Sequence, residues 1–205
     1  MSIIVEHEKR RREILEKALD VFMDEGFEDA TFQKISDRCG ITRTTLYIYF
    51  KNKKDVFNYS IKQLMEEVEE DIRQVREDGK LNHADKLIRV LQVIIDRLGE
   101  NRRILSVVLN YLLYAAKSDA NPDSLVRRRT IRLRHILATM VIEGIRAGEI
   151  SPMNIRNIDD LLYGLLETAI FRLVVLKRST AGELKQAAAL VIRQLRVRPG
   201  PPEAL

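Results

Sequence analysis

Thr31 to Lys54 read TFQKISDRCGITRTTLYIYFKNKK, two short helical segments, a tight turn and the start of a third helix. Phe32 and Ile35 are spaced for one buried face. Cys39-Gly40 closes the first segment, because glycine accepts the left-handed backbone that ends many helices. Ile41 points inward, and Thr42 is a good N-cap for the next helix. That second helix is short, Arg43 to Phe50, with Leu46 and Phe50 as its core side. Two helices joined by a few residues containing glycine form a helix-turn-helix, whose second helix lies in the major groove of DNA.

The local charge agrees. Lys34, Arg38, Arg43, Lys51, Lys53 and Lys54 are opposed within the stretch only by Asp37. Thr, Arg and Tyr side chains on the second helix can bond phosphates and base edges or touch a thymine methyl. Asn52 with Asp55 three residues on marks another helix start, which puts Lys53 and Lys54 in its first turn. Cations there oppose the helix dipole by about 0.3–1 kcal/mol each, a cost that a nearby phosphate removes.

These residues also carry a resemblance. The features are a Gly26-Phe27 turn after an amphipathic first helix, Thr31 opening the second, and Ile35-Ser36 with Cys39-Gly40-Ile41. The most specific is the block Thr45-Leu46-Tyr47-Ile48-Tyr49-Phe50-Lys51-Asn52-Lys53-Lys54-Asp55-Val56-Phe57. The run resembles the N-terminal DNA-binding domain of the TetR family of bacterial transcriptional regulators. The resemblance is detailed over roughly the first 60 residues and is one of layout beyond them. Tyr49 departs from it, standing where many members have His, although a phenol still donates to phosphate. Arg43, Thr44 and Gln33 are the candidates for base contact, and Thr45 for a base or a phosphate. Thr31, Tyr47, Tyr49 and Lys53 are assigned to the DNA backbone, with Thr42 at the helix start. Tyr47 has a core position as its alternative.

The rest of the chain reads as all-α. It has 205 residues, 45% of them hydrophobic, enough for a real core and too many for wholesale disorder. Apolar residues recur at helical spacing, and no clean alternation suggests a strand. The net charge of +5 is only mildly basic, so the local concentration of cations carries more weight than the total. The single Cys39 excludes an internal disulfide and suits a reducing cytoplasm. No signal peptide is visible, and the longest apolar runs are broken by Asn110, Glu167 and Arg172, too short to span a membrane.

In chain order, residues 1–8 are expected to fray. A first helix over Lys9–Glu25 presents Ile14, Leu15, Ala18, Leu19 and Phe22. A long helix starts at Lys53 and ends near Gly79, with an acidic second half that must face away from DNA. Helices follow over 83–98 and 101–118, and then one led by an Asn121-Pro122 cap that continues to Gly148. The last two run from about Ile155 to Lys177 and, behind a Thr180–Glu183 capping box, to Val197. That pair is apolar on more than one face, as helices buried on two sides are. The second face is assigned to a homodimer. The expected architecture has about nine helices. Residues 1–58 form the DNA-binding domain, 59–198 an effector-binding and dimerisation domain, and 199–205 a tail.

No catalytic motif, metal-ligand spacing or cofactor signature is present. His7, His83 and His135 are scattered, and one cysteine cannot build a structural zinc site. Polar groups do occur among apolar ones in the later helices, as in small-molecule pockets. The resemblance implies such a pocket there, with Asn110, Tyr111, Tyr114, Glu143, Tyr163, Glu167 and Phe171 as candidates and a largely hydrophobic effector. The reading is therefore a ligand-responsive, dimeric, DNA-binding transcriptional regulator, a repressor by family analogy. Its rival is a DNA-associated scaffold whose helical domain binds a protein partner.

Overall fold

The computed structural model describes residues 3–117, 124–177 and 181–197. Among these, nine α-helices follow in order: α1 Ile3–Asp29, α2 Phe32–Cys39, α3 Arg43–Tyr49, α4 Lys53–Glu77, α5 His83–Glu100, α6 Arg102–Lys117, α7 Ser124–Arg146, α8 Ile155–Ile170 and α9 Ala181–Gln194. The α8 helix runs on into a π-helical turn, Phe171–Val175. Strand pairing among the described residues is a single antiparallel bridge, Ile150 with Arg196. No helix among them is long and apolar enough to cross a membrane. The Asn121-Pro122 cap, Thr180 and the tail fall outside the described residues.

The helices pack as two units. The first takes Met1–Glu66 with Asn101–Arg127, the second Glu67–Glu100 with Arg128–Leu205. The division therefore passes through α4 rather than at residue 58, and α6, expected in the later domain, belongs to the first unit. The side chains give the reason. Tyr111 of α6 packs its ring 4.8 Å from both Phe27 and Phe57, and Phe22 completes the aromatic cluster. Arg103 reaches the Asp20 carboxylate on α1, and Tyr114 donates to Glu28 at 2.8 Å.

In the first unit, α1 breaks at Gly26, where φ 80° and ψ 165° suit only glycine. The helix starts at Ile3, so from that residue on the expected fraying gives way to helix. Long-range partners explain this. Tyr59 donates to Glu8 at 2.8 Å, the Arg11 guanidinium lies 3.8 Å from the Tyr59 ring centroid, and the His7 ring stacks on Tyr49 at 4.7 Å.

The second unit is built on α5, α8 and α9. Leu87, Leu91 and Ile94 bury against Leu162, Leu166, Ala188 and Ile192, with Leu137 and Val141 of α7 also fully enclosed. At Gly144 of α7 a Cβ would come within 2.5 Å of the Ile150 side chain, so the close approach needs glycine. The chain leaves α7 through Gly148, and Ser151 N–H donates to the Leu195 carbonyl at 2.9 Å while Val197 N–H donates to that of Glu149 at 3.1 Å. These bonds fasten residues 195–197 beside the α7–α8 connection, and α9 itself stops at Gln194, three residues before the expected Val197. Glu149 meanwhile holds the start of α5, accepting from Ala84 N–H at 3.0 Å and lying 3.0 Å from His83 Nδ1. The outer surface of α8, its π turn and α9 carries exposed Leu161, Phe171, Val175, Leu176 and Leu190.

Candidate nucleic-acid interface

Three local devices set α2 and α3. Thr31 caps α2, its Oγ1 accepting from Lys34 N–H at 3.2 Å. Gly40 takes the left-handed φ of 66°, which lets its N–H and that of Ile41 satisfy the carbonyls of Asp37 and Ser36, both at 3.1 Å. Thr42 caps α3, accepting from Thr45 N–H at 3.0 Å, and its hydroxyl lies 2.8 Å from that of Thr45. The next helix start is held by two side chains. Asn52 Oδ1 accepts from Asp55 N–H at 2.9 Å, and Asp55 Oδ2 accepts from Lys51 N–H at 3.0 Å.

Packing then fixes which face of α3 looks out. Ile35, Leu46 and Phe50 are buried. Arg43, Thr44, Tyr47 and Ile48 are exposed, and Gln33 is exposed on α2. Arg43 donates from Nη2 to the Tyr47 hydroxyl at 3.1 Å, which holds guanidinium and phenol side by side. Tyr47 keeps half its surface in solvent while its ring rests 4.8 Å from Phe32, so it is not a core residue. Gln33 donates to Asp37 at 2.7 Å. Tyr49 is half-buried, with the His7 imidazole on its face.

Lys53 requires a correction. Its ammonium donates to the carbonyls of Phe27, Glu28 and Ala30, at 2.9, 2.5 and 2.9 Å. An ammonium has three donors, and the end of α1 takes them all, so none is left for a phosphate in this arrangement. The cost of a cation in the first turn of α4 is offset by carbonyls instead. The surplus of cations is also smaller than the stretch suggests. Lys34 pairs with Glu25 at 2.6 Å and Arg38 with Asp24 at 2.9 Å, both acids lying upstream on α1. Cys39 is buried, its thiol 3.9 Å from the Ile14 carbonyl, and burial pushes that thiol above its ordinary pKa.

The residues read as pocket lining are divided between the two units. Asn110, Tyr111 and Tyr114 belong to the first unit, where Asn110 is exposed, Tyr111 is in the aromatic cluster and Tyr114 bonds Glu28. Glu143, Tyr163, Glu167 and Phe171 belong to the second. There Glu143 pairs with Arg76 at 2.8 Å, Tyr163 donates to Thr130 at 3.4 Å, and Glu167 and Phe171 are exposed. The second unit does have an open cleft of about 580 Å³, lined by Asp71, Asp78, Arg89, Asp96, Arg97 and Glu100 among others. Val75, Leu81 and Val93 share that wall, so the cleft presents charged and apolar surface together.

Sequence reasoning passed over Ile48. It stands four residues after Thr44, on the same face of α3, and that spacing was the available signal.

Comparison with known proteins accords with this geometry. Residues 14–59 match the family described as bacterial regulatory proteins, tetR family. A fatty acid metabolism regulator protein of Bacillus subtilis is 24% identical over 163 residues, covering 77% of this chain and 80% of that protein. A TetR transcription regulator from Haloarcula marismortui superposes with a TM-score of 0.77 at 19% identity, over 93% of this chain and all of that one (100%). The transcriptional regulator FadR from Bacillus subtilis, solved in complex with stearoyl-CoA, gives 0.69 at 24% identity over 88% and 96%. The structural likenesses establish a shared fold.

Proposed function

We propose that the chain is a regulator of the TetR family, whose model its residues 14–59 match, and that it acts as a dimeric repressor that a largely apolar effector releases from a palindromic operator. The observation that carries this reading is the outward face of α3. Arg43 and Thr44 are exposed while Leu46 and Phe50 beneath them are buried, so the helix is anchored on one side and free to enter a groove on the other. Each subunit of the dimer offers one such helix to a half-site, the two lying about 34–36 Å apart along the groove or a multiple of that. The dimer forms through the exposed apolar residues of α8 and α9.

Release is a population shift. The effector binds better to a form whose two reading helices are wrongly spaced, and DNA must weaken effector binding by the same factor. The α4 helix supports this, since it is continuous and contributes residues to both units. The names of the relatives, a fatty acid metabolism regulator and a stearoyl-CoA complex, favour a long acyl thioester as the effector class. The chain acts by binding, without catalysis, in the cytoplasm.

Selection of bound DNA from a random pool tests the reading. A palindrome should be enriched, and long-chain acyl-CoA should lower affinity for it. Arg43→Ala should relax preference at one position per half-site, by about 1–3 kcal/mol of discrimination. Failure to enrich any site, or an unchanged sequence profile for Arg43→Ala, overturns the assignment.

A further inference from the structure

We propose that Ile48 reads a thymine, by packing against its C5-methyl group in the major groove. This rests on α3 being the recognition helix and adds a specificity-determining residue to it. Ile48 is 66% exposed, and no large apolar side chain among the described residues is more exposed. It contributes nothing to the core, because Leu46 and Phe50 are at 0% and 1% exposure and already anchor the helix. A β-branched residue is also a mediocre choice for a short solvated helix. Its neighbours define what it can touch. Thr44 lies one turn before it on the same face, and the Arg43–Tyr47 pair runs alongside. The result is an apolar tip beside polar groups. An isoleucine has no donor for a phosphate and no acceptor for a base amine. Among the groups that base edges present in the major groove, the thymine methyl is the apolar one. Ile48 and that methyl bury each other.

The test removes the methyl and nothing else. In the selected operator, each thymine is replaced in turn by deoxyuridine in both half-sites. One position per half-site should respond, losing about fourfold per half-site and about fifteenfold for the pair, the value of one buried carbon. At that position, 5-methylcytosine should bind better than cytosine. Ile48→Ala should lose affinity for the thymine site and become indifferent to deoxyuridine there, whereas Ile48→Val should keep part of the response. Thr44→Ser, which removes the other methyl on this face, should leave the response at that position intact. A wild-type protein indifferent to deoxyuridine everywhere overturns the proposal, as does an Ile48→Ala variant that still senses it. If no operator is enriched, the DNA reading of α3 falls as well. If an operator is bound and its methyl groups are ignored, only the role of Ile48 falls.

Discussion

Lys53 shows how one ammonium can be directed in two ways. The last carbonyls of a helix lack partners within it, and Lys53 supplies three such bonds where the chain leaves α1. Hydrogen bonds from a charged donor are worth about 1.5–3 kcal/mol net. Lys53→Ala is therefore expected to lower stability by about 2 kcal/mol, read as an earlier urea midpoint, with the salt dependence of DNA binding unchanged. The opposite pattern, unaltered stability with a salt slope smaller by about one per subunit, would return Lys53 to the phosphate. The sequence could not decide this, because it places Lys53 in a first turn but does not show the end of α1 folding back beside it.

Among the elements, what was legible is what is local. Gly40, Thr42 and the Asn52–Asp55 pair act within four residues of themselves, and each does what its position implied. The start of α1 and the placement of α6 were not legible. Glu8 depends on Tyr59, and an amphipathic helix such as α6 reveals that it has a buried face without revealing what covers it. The join between α7 and α5 depends on pH in a way the sequence also hides. Burial works against ionising Glu149, but hydrogen bonds from His83 and the Ala84 N–H outweigh it and hold the carboxyl below its ordinary range. A carboxylate depressed on folding adds stability that is present above its unfolded pKa and is lost as pH falls through the folded one. Stability should therefore decline as the solution is acidified below the usual carboxylate range. Glu149→Gln should flatten that part of the pH profile in chemical denaturation. An identical acid slope in the variant would remove Glu149 from the account.

For the whole molecule, the exposed apolar residues of α8, its π turn and α9 set the expected assembly. Leu190 is 59% and Phe171 52% exposed, on helices whose opposite faces are buried. Exposed apolar side chains such as these are what the second copy in the proposed dimer would cover. Leu190→Glu combined with Phe171→Glu should yield a monomer in sedimentation at micromolar concentration with helicity retained, and with operator affinity lost because only one half-site is then engaged. A double variant that sediments as a dimer places the interface elsewhere. Tyr111 carries a consequence for anyone who would transplant this reading head. The Tyr111 ring that packs on both Phe27 and Phe57 arrives from far down the chain, so a fragment cut after α4 uncovers one side of those phenylalanines. A chimaera that joins this front to a foreign body inherits the same defect unless the new body brings an aromatic residue to that spot. Exchange of binding specificity between relatives thus has to carry a distant helix along, or be confined to the few side chains that α3 turns outward.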